Sequence, residues 1–512
     1  MDTDVATFGG SDHDPATAVA FLAGMGFEFG PSRTVSRSLL DTFDRRLHSA
    51  GLRLELREGD RLELILTGEG STSAHLVVSS VPRFPEDLAP GPFRSRLAAA
   101  ADVRALLPVL RITATRAAGL RRNRAGKVVA TVAIYEHVRV DDHDVAPWTI
   151  EIDELAGYAK HANNARDALA QIGVSRLQGD TITIAAATSG VRLAAPSGPA
   201  GVPIDPMMPA APGFRAVLAE LAGTIDANWQ GTVERLDPEF LHDLRVAVRR
   251  TRTVVAEGKK VLPPTIVARA EQRFGWLGHL TGEARDLDVH LINWTTDTNR
   301  LPSDVVNALE PVHVLLERRS DAAHDALTRV LESEEATELM TAAATWWREP
   351  ALDDHHPGID AERPLGKIVA KRIARAHANL IKHGRLIRPD SPPEQIHDLR
   401  KDAKRLRYLL ECFAGLLQHA PRKAFVRRLK AFQDNLGEHH DTAVHVATLQ
   451  AISRELHSGR ASSETMLAIG QLIAQLDQRR FVTRFEFAEH FAAYDTKATR
   501  RDLDAALAGA IE

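Results

Sequence analysis

Two stretches of this chain recur at one fixed distance, and that recurrence constrains the fold more than any other feature. "HDLRVAVRRTR" begins at His242 and "HDLRKDAKRLRY" at His397, while "GEARDLDVH" begins at Gly282 and "GEHHDTAVH" at Gly437. Both pairs are separated by 155 residues, the difference of 397 and 242 and of 437 and 282. Two matches in the same order at one offset indicate an internal duplication. The period far exceeds a solenoid unit of about 20–50 residues. The predicted arrangement is therefore two similar helical bundles, over about 214–347 and 365–512, packed as one domain.

On a helix turning about 100° per residue, His242, Arg245, Arg249 and Arg252 fall within an arc of roughly 80°. Leu244, Val248 and Val255 gather on a neighbouring arc, so the segment is amphipathic, with a cationic stripe beside its buried seam. His397, Arg400, Lys404 and Arg407 repeat that stripe with one Lys in place of an Arg. One such stripe alone reads as a solvated helix face. Two of them on duplicated helices can converge on one groove, where an anion relieves their mutual repulsion. Arg supplies a planar fork of donors matched to phosphate oxygens, and Lys a flexible point charge. Lys367, Lys371 and Arg375, spaced i, i+4, i+8 ahead of the second stripe, and Arg427, Arg428 and Lys430 after it are further cationic candidates, with Arg422 and Lys423 at the groove mouth.

His242 and His397 admit two readings, a structural bond to backbone or to Asp286 and Asp441, and direct contact with the anion through a protonated ring. Asp286, Asp288 and Asp441 are read as orienting the arginines, since a carboxylate inside an anion groove is costly without a cation. The spacing of His439, His440 and His445 does not match the i, i+4 geometry of paired zinc ligands, and no cysteine assists. No metal site is predicted there, and "DDHHPG" at Asp353 to Gly358 reads as a polar loop.

Ahead of the duplication the texture changes. "LRLELREGDRLELILTG" alternates apolar residues at Leu52, Leu54 and Leu56 and again at Leu62, Leu64 and Leu66 around a turn at "EGD", the pattern of paired strands. "KVVATVAIYEHVRV" and "PWTIEIDEL" continue it, and "RSRLAAAADVRALL" predicts a short helix after the break at "APGPF". Residues 189–213, crowded with Pro, Gly and Ala, read as a linker. The expected organisation is an antiparallel β-barrel or strongly curved sheet over 1–188, a linker over 189–213 and an all-α domain over 214–512, an α+β two-domain protein.

The formal net charge of −4 argues against a nucleic-acid binder coated in Lys and Arg, and aromatics at 5% give bases little to stack on. A single cysteine, Cys412, excludes internal disulfides and fits a reducing compartment. The acidic start "MDTDVATFGG" is no signal peptide, and no apolar run reaches the ~18 residues of a membrane span. The expected location is the cytoplasm.

The repeated His-x-x-Arg-x-x-x-Arg/Lys-x-x-Arg stripes, with "ARDLDV" after the first and "DNLGEHHD" after the second, resemble the CHAD family, the conserved-histidine α-helical domain. The resemblance implies a helical bundle with two-fold internal repetition that binds inorganic polyphosphate, through His242, Arg245, Arg249, Arg252, His397, Arg400, Lys404, Arg407, Lys367, Lys371, Arg375 and Arg428. It also implies a possible association with polyphosphate granules. The stretch "LLDTFDRRLHSAGLRLELREGD", with "LLPVLRITATR" and "IEIDEL", resembles the CYTH triphosphate-tunnel barrels. That family opens on a Glu-x-Glu-x-Lys strand whose carboxylates hold Mg²⁺ or Mn²⁺; nothing before Phe29 has it. "LELR" keeps Arg57 but offers Glu55 at the other arginine position, and Glu151, Asp153 and Arg111 stand as remnants. A degenerate barrel without a required cofactor is expected. A metal-dependent triphosphate hydrolase in the barrel, or RNA binding through the stripes, are the competing readings.

Overall fold

Alternation and helical periodicity divide this chain where its contacts do. The computed structural model describes residues 6–9, 14–68, 73–140, 143–155, 157–191, 193, 202–348, 358–459 and 461–511, and separates them into units spanning residues 1–196 and 197–512. The loop expected at Asp353 to Gly358 lies, up to residue 357, outside the described residues.

The first unit runs β1 (Ala6–Gly9), α1 (Pro15–Gly24), β2 (Phe27–Phe29), β3 (Arg33–Asp41), α2 (Arg46–Ser49), β4 (Leu52–Glu58), β5 (Leu62–Gly68), β6 (Ala74–Val78), α3 (Pro92–Ala101), β7 (Leu107–Arg122), β8 (Val128–Val140), β9 (His143–Asp153), α4 (Ala159–Gln171), β10 (Ser175–Leu177) and α5 (Thr181–Ser189). The strands form one antiparallel sheet in the order β10-β1-β9-β8-β7-β3-β4-β5-β6, with β2 on the end of β7. Leu54, Leu56, Leu64 and Leu66 bury one face under α2 and α3, and Ile150 and Ile152 continue that face under α1 and α4. The other face is concave. Arg37 on β3 and Glu151 on β9 are three strands apart, about 14 Å in a flat sheet, yet their side chains bond at 2.8 Å.

The alternation predicts an antiparallel barrel or a strongly curved sheet, and the curved sheet is what forms: among the described residues β6 and β10 are edges of an open, curled sheet. The chain leaves β10 after three residues, and α5 turns into the concave face, where Ile182, Ala185 and Ala186 pack on β7, β8 and β9. The helix fills the space that closure would have left.

The second unit runs α6 (Ala210–Val233), α7 (Pro238–Glu257), α8 (Pro264–Leu280), α9 (Gly282–Thr298), α10 (Ser303–Ala308), α11 (Glu310–Leu331), α12 (Glu334–Arg348), α13 (Leu365–Gly384), α14 (Pro393–Cys412), α15 (His419–Ser458), α16 (Ser463–Tyr494) and α17 (Lys497–Ile511). The duplication is visible in the boundaries. α6 and α13 begin 155 residues apart, as do α8 and α15, and α7 and α14 match at both ends. The second repeat runs α8 and α9 together as the single long α15; the first breaks at Thr281, whose hydroxyl bonds the Leu277 carbonyl, a back-bond that bends helices.

The halves meet about a local two-fold axis. Ala210 donates to the Arg363 carbonyl and Leu365 to that of Met208; Ala211 donates to Ala361 and Gly366 to Pro206. Each bond is its counterpart shifted by 155 residues and reversed, and Pro209 and Pro364 bridge at the centre. One apolar core spans both repeats, with Leu244 and Val248 of α7 beside their equivalents Leu399 and Ala403 of α14.

The linker expected over 189–213 is therefore shorter. Val202 is buried, Ile204 packs on the helical core, and Ala210 and Gly213 are buried inside α6. Residues 202–209 form a non-helical strap with a turn at 206–208. A fragment spanning 202–512 is expected to unfold in one cooperative transition, and one starting at 214 to melt roughly 5–10 °C lower, because it lacks the bonds to Arg363 and Ala361. Equal melting temperatures by circular dichroism would show that the strap adds nothing.

Candidate functional site: a two-fold cationic cluster

The periodicity that buries Leu244, Val248 and Val255 leaves Arg245 and Arg249 half-buried at the edge of α7, and its repeat does the same for Arg400 and Lys404 on α14. Because α7 packs against α14, the two stripes face each other. Burial first, then Arg400 and Arg249, push the Lys404 ammonium down to about 7; Asp441 opposes them and Arg245 adds to them. Burial and the Arg249 charge bring Arg245 down to about 10 against the pull of Asp286. Arg400 is lowered by burial and by Arg249, against the pull of Asp441. A lysine on one repeat thus feels an arginine of the other, which a pair of separate solvated faces would not produce.

The arginines are incompletely satisfied. Arg245 donates to the Gly278 carbonyl at 3.3 Å and the Thr281 hydroxyl at 3.0 Å, at the break between α8 and α9. Arg400 bonds Asp441 at 3.2 Å. The Nε groups of Arg245, Arg249 and Arg400 are buried and have no acceptor among the described residues. Asp286, the equivalent of Asp441, sits above the usual carboxylate range; partial desolvation and then the Asp441 charge outweigh Arg245 and Arg249. These two carboxylates face the cluster as the sequence places them, but they neutralise it only in part.

Residues 216–450 match the CHAD domain family. The helical unit carries a CHAD domain. Among solved structures, the chain is similar to the CHAD domain from the plant Ricinus communis, at 25% identity over 59% of this chain and 98% of that one, with a TM-score of 0.49. It is also similar to PptA from Streptomyces chartreusis, at 18% identity over 56% and 99%, with a TM-score of 0.43. The PH1819 protein from Pyrococcus horikoshii OT3 aligns at 14% identity over 37% and 99%, with a TM-score of 0.24, too low to carry chemistry across. No curated protein matches the sequence.

Other predicted members of the CHAD site are placed differently. Arg407 is tied to Glu411 at 2.6 Å, and Arg252 is exposed, with its guanidinium over Gly278. His242 is half-buried beside its stripe, and His397 stacks on His440 with ring centroids 4.9 Å apart. Arg428 reaches Asp502 at 3.2 Å, and its equivalent Arg273 reaches Glu335 at 3.3 Å. Both tie neighbouring helices, so Arg428 is already engaged by a carboxylate. Lys367, Lys371 and Arg375 lie on the exposed face of α13, with no ion pair among the described residues. Asp288 points away from the arginine stripes and holds His324 at 2.8 Å in the interior.

The sequence reading missed Arg285 and His440. They are equivalent positions in "GEARDLDVH" and "GEHHDTAVH". Arg285 borders Arg249 and Asp286, and His440 borders Arg400 and Lys404. Laying the repeats over each other would have exposed them. Arg250, which helical geometry turns away from the stripe, is no idle surface charge either: it bonds Glu411 of the other repeat at 2.6 Å.

The concave face of the N-terminal sheet has the opposite character. Arg37, 2% exposed, bonds Glu55 at 2.8 Å and 3.1 Å, Glu151 at 2.8 Å and Asp180 at 3.3 Å. Arg53 bonds Asp180, and Arg57 bonds Glu55. Burial would raise Glu55 and Asp180, but the surrounding guanidiniums overcome it and hold both below the usual carboxylate range. Glu151 also accepts the Thr181 amide at the start of α5. The carboxylates here hold a guanidinium where a divalent cation would have to sit, so the residues do not fit Mg²⁺ or Mn²⁺. Arg111, counted among the remnants, lies on the opposite face with Glu58 and Ser36, and β1 supplies neither carboxylate nor lysine.

Arg37→Met is therefore expected to cost about 3–5 kcal/mol, since it leaves buried carboxylates unpaired. Arg250→Ala should cost about 1–2 kcal/mol through Glu411. Denaturant titration checks both; a loss below 1 kcal/mol for Arg37→Met would contradict the account of the concave face.

Proposed function

We propose that the CHAD domain binds linear inorganic polyphosphate across its local two-fold axis, and that the N-terminal sheet is a scaffold rather than a triphosphate hydrolase. The observation that carries this reading is the set of buried, acceptor-free guanidinium N–H groups of Arg245, Arg249 and Arg400 beside an ammonium depressed by its neighbours. Such a cluster costs free energy until an anion joins it. Phosphate oxygens accept guanidinium donors in charge-assisted, often bidentate bonds.

The symmetry favours one kind of polyanion. Arg245 and Arg400, Arg249 and Lys404, and Asp286 and Asp441 are equivalent positions, so the site presents basic groups in the same two-fold layout to a strand running in either direction. Linear polyphosphate has no chain polarity and suits such a site. A nucleic-acid strand has direction and seeks aromatic platforms; Tyr408, beside the cluster, is buried. Association with polyphosphate granules would follow from this binding. Among the described residues no helix is long and apolar enough to cross a membrane.

Binding of long-chain polyphosphate, RNA and triphosphate at two salt concentrations tests the proposal. Polyphosphate is expected to bind most tightly, with an affinity that falls steeply with salt. Arg245→Ala/Arg249→Ala and Arg400→Ala/Lys404→Ala should each weaken it roughly 10–100-fold and reduce the salt slope by about 1.5, while no phosphate is released with Mg²⁺ or Mn²⁺. If only one pair matters, or RNA competes on equal terms, the proposal fails.

A further inference from the structure

The duplication places two chemically different half-sites side by side. Arg245, Arg249 and Arg285 of the first repeat correspond to Arg400, Lys404 and His440 of the second. At these three positions the first half carries guanidiniums, whose charge is fixed at any physiological pH; both halves keep the histidine at the head of the stripe, His242 and His397. In the second half, two of the three positions can release a proton.

Like charges surround those two groups. Lys404 faces Arg400 on its own helix α14, Arg249 and Arg245 on α7, and the carboxylate of Asp441 on α15. His440 faces Arg400, His397 and Lys404 on α14 and His439 on α15. His397 faces Lys401, Arg400, Lys404 and the single carboxylate of Asp398. From α9, Asp286 bears on Arg400 and Arg245, and Arg285 on Arg245. The His397 and His440 rings stack at 4.9 Å with 28° between their planes, an arrangement in which two imidazoliums repel unless an anion lies beside them.

We propose, resting on the polyphosphate reading of this face, that the second half-site takes up protons as the polyanion binds, at Lys404 and, in acid, at His440 beside His397, while the equivalent arginines of the first half-site, Arg249 and Arg285, bind with fixed charge. The sign follows from the environment. In the free protein burial, then Arg400 and Arg249, hold Lys404 at about 7, and burial, then Arg400 and His397, hold His440 at about 4. Phosphate oxygens raise both values in the complex by favouring the charged forms. Affinity therefore rises as pH falls through the bound-state value of Lys404, levels off below about 7, and rises again once the histidine pair protonates. Changing Lys404 and His440 to the arginines found in the first repeat removes the titrations at those two positions.

The test is calorimetric titration of the full chain with long-chain polyphosphate, whose internal groups carry no proton near neutral pH. At pH about 8, in two buffers of different ionisation heat, uptake of about one proton per site is expected, with affinity rising roughly 30-fold between pH 9 and 7. Lys404→Arg should abolish that uptake, and Lys404→Arg/His440→Arg should in addition shrink the rise in acid. Tight binding whose heat is the same in both buffers, or full uptake persisting in Lys404→Arg, would overturn the proposal while leaving the polyphosphate reading intact. Absence of binding by the parent at low salt would overturn both.

Discussion

The packing of α7 against its duplicate α14 is the constraint on which the helical unit depends. Leu244 and Val248 on one side and Leu399 and Ala403 on the other bury a shared seam, and helical geometry then leaves the basic residues one step around no choice but to face each other. Duplication makes this unavoidable, because any side chain at the edge of one helix appears at the matching edge of the other. The apolar seam supplies the stability that holds like charges close, and the unmet guanidinium donors are the consequence. Arg250 with Glu411, and Arg405 with Glu257, brace the same pair of helices from the flank.

The N-terminal sheet resolves the same electrostatic problem in the opposite way. Its arginines are also drawn into a confined face, but Glu55, Glu151 and Asp180 meet them there, and α5 closes over the space. Buried arginines matched by carboxylates make a structural core; half-buried arginines matched only in part are left with unmet donors. One chain therefore contains both outcomes, and the difference lies in which residues the fold brings opposite the guanidiniums.

Much of this was legible in the sequence, for identifiable reasons. The offset of 155 residues fixed the relation of α7 to α14, and alternation placed β4 and β5 at the right residues. Local periodicity also predicted that Arg245 and Arg249 share a face. Contacts made across long separations were not legible: Arg37 meets partners 18, 114 and 143 residues away, and Arg250 finds Glu411 only through inter-repeat packing. Arg428 looked like part of a cationic run, yet its role is set by Asp502 on a helix that sequence spacing cannot place beside it. The open edge of the sheet depended on where α5 turns, which composition did not encode.

The central claim is that two repeats bring their basic residues together in a place that awaits an anion. The ammonium of Lys404 reports on it directly, because burial and three arginines, Arg400 of its own repeat and Arg249 and Arg245 of the other, bear on that single group. Its titration by nuclear magnetic resonance, in the free protein and with long-chain polyphosphate, is predicted to give a midpoint of about 7 that moves upward when the polyanion is added. An ordinary lysine midpoint near ~10.4, or one that does not respond to polyphosphate, would contradict the account.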